Sequence, residues 1–129
     1  MIGTVHNSYV RGNAIHQTYN RAVTTHGVHY FRVTDNVAFD TMGHTFFIED
    51  AVETNNVYDH NLAIKTKASN SLLGTDQTPG GFWITHPDNI VTNNAIAGTD
   101  AYGMHRLGRK EEESTSEGKY ATTGHEDGE

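Results

Sequence analysis

The stretch VTDNVA (Val33 to Ala38) decides the fold, because its frame recurs three more times along the chain. The others are VRGNAI (Val10 to Ile15), YDHNLA (Tyr58 to Ala63) and VTNNAI (Val91 to Ile96). Each frame holds a β-favouring residue, two mostly polar residues, an asparagine and two apolar residues. The asparagines are Asn13, Asn36, Asn61 and Asn94, spaced by 23, 25 and 33 residues. A period of just over twenty with Asn at a fixed place is how a coiled β-solenoid is written in sequence. One coil cannot bury its own apolar face, so stacked coils build the core together. Stacked Asn side chains can hydrogen-bond up and down the stack, which satisfies amides that are costly to bury alone.

Working outward, the segments after each asparagine can be laid over one another. With Asn13 on Asn36, Val23 falls on Phe46, Thr25 on Ile48 and His26 on Glu49. The third repeat carries an insertion, KTKASNSLLGTDQTPG, before GGFWITHPDN resumes the pattern. Phe82 then matches Phe46, Trp83 matches Phe47, and Ile84 matches Ile48. The runs YFRV, HTFFIE, GFWIT and DNIVTNN are β-rich and are punctuated by Gly, Asn and Asp. No segment has a 3.6-residue apolar period, so few helices are expected. The expected fold is all-β, a parallel β-helix of about four coils over residues 1–106. The chain opens on a repeat without visible caps, so it is expected to be a fragment of a longer solenoid. Uncapped ends of that kind invite end-to-end self-association.

Composition narrows the partners. Hydrophobic residues make up only 35% of the 129 residues, which suits a thin solenoid core better than a globular α/β domain. The net charge of −7 with no basic patch argues against nucleic acid. No apolar stretch approaches the roughly 18 residues of a membrane span, and no signal peptide opens the chain. The absence of cysteine excludes disulfides and thiolate metal sites but leaves the compartment open. No N-x-Ser/Thr acceptor is present. Residues 107–129 carry seven acids against three bases and almost nothing apolar, so they are expected to form a disordered acidic tail.

Equivalent positions on successive coils lie about 4.8 Å apart, so residues at matching positions form a cluster. At the strand end this places His26, Glu49, Asp50 and His86 in one patch, within one residue of register. Arg21 and His44 share another position a few residues upstream. A carboxylate pair flanked by imidazoles can hold a divalent cation, or can supply a general base and a general acid. Calcium would take Glu49 and Asp50 with carbonyls; zinc would prefer the histidines. Against this, polar residues at solenoid turns commonly cap strands or bind exposed backbone. His26 and His29 read as two turn residues rather than a metal pair. Trp83 and the pair Phe46 and Phe47 alternate across a strand, so one member of each can face outward. An aromatic ring there, beside polar groups, suits stacking on a sugar; a core or turn-packing role is the commoner one. Arg21 beside His44 suits an acidic sugar.

These residues also resemble a family. The markers are I-H-x-x-x-x-R-A-V-x-x-H-G from Ile15, D-N-V-A-F-x-x-x-G-H-x-F-F-I-E-D from Asp35 and F-W-I-T-x-P-D-N from Phe82. Over roughly residues 8–103 the chain is similar to the β-helix region of the fibrocystin-L family. That region is shared with the cell-migration-inducing and transmembrane-protein hyaluronidases. The resemblance implies a right-handed parallel β-helix, an extracellular or cell-surface setting, and carbohydrate as substrate class. It also implies that the matching residues His16, Arg21, His26, His44, Glu49 and Asp50 are where a site would lie.

Two functions follow as expectations. The first is a fibrocystin-L-like solenoid that binds glycans or partner proteins, such as a polysaccharide or a glycoprotein, without chemistry. The second is a hyaluronan-like polysaccharide depolymerase, a hydrolase or lyase. In it His26 or His44 acts as base or acid, and Glu49 with Asp50 completes the catalytic group and holds Ca²⁺. Arg21 pairs a uronate carboxylate, and His16, His86 and Trp83 contact the sugar.

Overall fold

A computed structural model describes residues 3–4, 7–70 and 73–108. Its strands run β1 (Gly3–Thr4), β2 (Tyr9–Arg11), β3 (Ala14–Thr18), β4 (Val23–Thr25), β5 (Val28–His29), β6 (Arg32–Thr34) and β7 (Val37–Met42). They continue through β8 (Phe46–Ile48), β9 (Val57–Asp59), β10 (Leu62–Lys67), β11 (Gly80–Ile84), β12 (Ile90–Thr92), β13 (Ala95–Thr99) and β14 (Tyr102–Arg106). Three parallel sheets of four strands run along the molecule, and β1 pairs separately with β5. The first sheet is β2-β6-β9-β12, the second β3-β7-β10-β13 and the third β4-β8-β11-β14. Each coil therefore contributes one strand to each sheet, and four coils stack into a parallel β-solenoid. Among the described residues only the turn Gly74–Gln77 is helical, of 3-10 type. Among the described residues, no helix is long and apolar enough to cross a membrane. Of the expected acidic tail only Leu107 and Gly108 are described; the remainder lies outside the described residues.

The repeat sets the register. Val37 pairs with Ala14 and Leu62, and Leu62 pairs with Ala95, so the four frames lie directly over one another. The superposed positions also meet: Val23 with Phe46, Thr25 with Ile48, Phe46 with Phe82, and Phe47 with Trp83. Inward residues alternate with outward ones, as a strand requires. Val33, Tyr58, Ala38, Ala63, Phe46, Phe82, Ile48 and Ile84 form the buried column, with Phe46 and Phe82 stacked at 4.7 Å.

The asparagine ladder sits at the corner between the first and second sheets. The backbone N–H and Nδ2 of Asn13 donate to Oδ1 of Asn36, those of Asn36 to Asn61, and those of Asn61 to Asn94. Each inner Nδ2 also donates to a carbonyl of the coil before, as Asn36 does to Val10 and Asn61 to Val33. The residue before each asparagine is left-handed: Gly12, Asp35, His60 and Asn93, with φ from 53 to 66°. That conformation turns the chain within one residue, and Gly, Asp and Asn adopt it most readily.

Two further stacks had a weaker sequence signal. Asn56 and Asn89 form a second ladder five residues before the first, where Asn56 accepts from the Phe31 N–H and donates its own N–H to Asn89. Only two of the four coils carry Asn there, so the period was hard to see. Thr18, Thr41, Thr66 and Thr99 also stack on the second sheet, just after a second row of left-handed residues, Gln17, Asp40, Lys65 and Gly98.

Candidate functional site

The third sheet turns Thr24, Phe47, Trp83 and His105 outward at one register position. Phe47 is nevertheless buried, with the Arg21 guanidinium over its ring and His44 stacked on it, and both of those residues bind the insertion of the third coil. Three residues join β7 to β8, whereas residues 68–79 join β10 to β11. Within that longer connection, Asp76 lies on the 3-10 turn and is fully buried.

Asp76 organises the site. Its Oδ2 accepts from Arg21 Nη2 at 2.8 Å and from the Leu73 N–H at 3.3 Å, and its Oδ1 accepts from Arg21 Nε at 3.3 Å and the His44 N–H at 3.1 Å. Burial pushes this carboxyl up, but the Arg21 and His44 donors and the charges of both side chains outweigh it and hold it below its ordinary value. Gly43 shows why the motif has glycine before His44. Its φ is +76°, and a Cβ there would lie 2.7 Å from Asp76 Oδ1.

Arg21 is only 8% exposed. Its guanidinium is committed to Asp76, rests 4.2 Å above the Phe47 ring, and lies 3.8 Å from Glu49 Oε2. The pairing expected with a uronate is thus made in this structure with Asp76. His44 is fully buried beside it, against Phe47 and Trp83 with ring centroids at 4.8 and 4.3 Å. Its Nδ1 accepts from the Gly80 N–H, which places the proton of the neutral ring on Nε2. Among the described residues that Nε2 has no hydrogen-bond partner, and it lies 3.8 Å from Asp76 Oδ1. Burial lowers the His44 pKa from 6.5 to about 4; Asp76 opposes this, while Arg21 and His105 add to it. His44 is therefore neutral at pH 7 and walled off by aromatic rings.

The solvent-facing part of the site is His26 with Glu49 and Asp50. His26 Nδ1 lies 2.9 Å from Asp50 Oδ2 and 3.4 Å from Glu49 Oε2, with half the imidazole exposed. Glu49 joins this rim to the buried pair, so the two expected patches form one chain of contacts: His26, Glu49, Arg21, Asp76, His44. The structure does not bring in His86, whose Nδ1 accepts from the Asp88 N–H at the next corner. Its neighbour Thr85 makes the link instead, with Oγ1 accepting from the Ala51 N–H and donating to the Ile48 carbonyl. His16 lies on the second sheet, paired in register with Phe39, away from the cluster. Trp83 does border it, but His105 stacks on the ring at 3.9 Å and His44 packs at 4.3 Å. Those two contacts leave mainly its edge for a sugar.

Among the described residues, no group of three or more His, Asp or Glu side chains is arranged to hold a metal ion. A calcium at Glu49 and Asp50 would need water and main-chain carbonyls to reach its usual complement of about six to eight oxygens. Sequence comparison of coils missed Asp76 because the insertion has no counterpart in other coils. His105 was readable, since superposing Asn94 on Asn36 puts it on Phe47. Glu53 was also missed: fully buried at the turn after Asp50, it accepts from the N–H groups of Gly27, Asp50 and Val52. Burial raises its pKa, and those amides outweigh the effect and leave it lowered.

Residues 1–127 match the family described as CEMIP beta-helix. Fibrocystin-L of Homo sapiens is 50% identical over 97 residues, which are 75% of this chain and 2% of that protein. Cell surface hyaluronidase CEMIP2 of Homo sapiens is 35% identical over 141 aligned residues, covering 90% of this chain and 10% of that protein. The cell migration-inducing and hyaluronan-binding protein of Homo sapiens is 31% identical over 121, covering 75% of this chain and 9% of that protein. The chain thus spans a tenth or less of each of these relatives. No solved structure matches it.

Proposed function

The chain belongs to the CEMIP beta-helix family, and on that premise we propose that it is the solenoid portion of an extracellular or cell-surface protein that binds a glycan or a partner protein through the third-sheet face. The observation that carries this reading is the buried pairing of Arg21 with Asp76 beside a neutral, enclosed His44. Arg21 is committed to Asp76 and His44 is enclosed by aromatic rings, which leaves His26, Glu49 and Asp50 to meet a ligand. The setting is supported by a relative whose name places it at the cell surface and by others named for hyaluronan. The test is retention on immobilised hyaluronan, polyuronates and a glycan array. Binding that weakens in His26→Ala and Asp50→Asn, with the fold intact, supports the proposal; no retention of a folded protein on any surface contradicts glycan binding.

A second reading, depolymerisation, is favoured by one specific feature. His26 has an imidazole oriented by Asp50 at 2.9 Å and half open to solvent, the arrangement of a general base held by a carboxylate. In that reading Glu49 completes the acid–base group, and Arg21 meets a uronate only if Asp76 gives way. Calcium belongs to it at Glu49 and Asp50 alone. Its mark is a melting temperature that rises with added Ca²⁺ and no longer does so in the Glu49→Gln, Asp50→Asn double variant. A melting temperature indifferent to calcium removes the ion from the account.

A further inference from the structure

A groove lies elsewhere, along the corner between the first and second sheets, with a volume of about 280 Å³. One wall is the left-handed row Asp35, His60 and Asn93; the other is the outward row Val37, Leu62 and Ala95; the floor is the asparagine ladder. Both walls repeat with the coils, so a polar rail and an apolar rail run parallel to the solenoid axis. Beyond the apolar rail, Phe39 stands on the same outer face and is 44% exposed.

The polar rail has hydrogen-bonding capacity to spare. Asp35 Oδ1 takes one bond from His60 Nδ1 and Oδ2 one from Arg11, whereas an ionised carboxylate offers about four acceptor sites. Among the described residues His60 Nε2 makes no hydrogen bond, and Asn93 uses its Nδ2 on Asp59 while its Oδ1 has no partner. Hydroxyl groups, which both donate and accept, fit such a rail. The bordering cations are already ion-paired, Arg11 with Asp35 and both Lys65 and Lys67 with the single carboxylate of Asp40. Asp59, bound to Asn93, balances the extra charge, so the border has no net positive charge to draw an acid.

We infer that this groove seats a neutral saccharide chain along the solenoid axis, its C–H faces on Val37, Leu62 and Phe39 and its hydroxyls on Asp35, His60 and Asn93. The site is independent of the His26 cluster, which is on another sheet. The probes are neutral oligosaccharides (N-acetylglucosamine, mannose and galactose oligomers), titrated into the ¹⁵N-labelled chain with oligogalacturonate as the acidic comparator. The expected result is shifts centred on the amides of Val37 and Leu62. Phe39→Ser and His60→Ala should each weaken binding by about tenfold, the equivalent of roughly 1.4 kcal/mol. Ile90→Ser, an exposed apolar residue of the first sheet, should bind as the parent does. The inference is overturned if no neutral oligosaccharide shifts the groove, if the shifts map to the third sheet, if both groove variants bind like the parent, or if the acidic comparator binds the groove as tightly.

Discussion

At the ladder corner four asparagines do one job four times, while on the third-sheet face Arg21, His44, Glu49 and Asp76 each do a different one. The corner is additive: every coil supplies its own left-handed residue, its own amide and its own carbonyl. The face is held by a single residue of the inserted segment, on which Arg21, the His44 amide and the loop itself converge. Repetition spreads stability over many small terms, whereas a one-off cluster concentrates it in one side chain.

The difference is broken most severely at Asp76. Asp76→Ala strands the Arg21 charge against an apolar ring, and losing one partner of a buried pair costs about 3–5 kcal/mol. Glu49, 3.8 Å away, should pull the loss toward the lower end. Chemical denaturation measures it, and Arg21→Leu combined with Asp76→Leu should recover much of it. Equal losses in the single and double variants would show that the pair is not what holds the face.

Within the ladder the expected effect is smaller and graded. Asn36 is fully buried between two coils, so Asn36→Ala should cost roughly 1–3 kcal/mol by leaving amides and carbonyls unpaired. Asn13 is exposed at the first coil, and Asn13→Ala should cost less than about 0.5 kcal/mol. Equal costs would contradict a ladder whose value lies in burial.

Acid sharpens the comparison. Below pH 6.5 the unfolded chain takes up a proton at His44 that the folded chain refuses until about pH 4. Stability should therefore fall across that window, and less so in His44→Gln. Asp76 and Glu53, both held below their ordinary values, add further loss as pH falls on through the carboxylate range. Denaturant melts at pH 7, 5.5 and 4 read the slope, and a flat profile would mean that His44 titrates normally. The smallest effect is expected on the surface, where Arg11, Asp35 and His60 form an exposed chain of contacts. Arg11→Ala should leave the melting temperature unchanged.

The same contrast explains what could be read from the residues alone. Asn13, Asn36, Asn61 and Asn94 carry the register because identical neighbours need identical side chains, and Val23 over Phe46 followed from that alignment. His26, Glu49 and Asp50 came together for the same reason. Asp76 was out of reach, since its place depends on how an insertion folds back over two other coils. His86 missed its expected cluster because the turn after Thr85 carries it to the next corner, where the Asp88 amide binds it. The enclosure of Arg21 and His44 was likewise hidden, for burial on a solenoid flank depends on what covers the flank.

The measurement that bears most directly on the third-sheet face is the chain length of hyaluronan and of a polyuronate after incubation with the folded protein, with and without calcium. A face whose catalytic candidates are paired with one another predicts retention of the polymer at unchanged length. Shortening that disappears in His26→Ala and in the Glu49→Gln, Asp50→Asn double variant would contradict it and make the rim a catalytic centre.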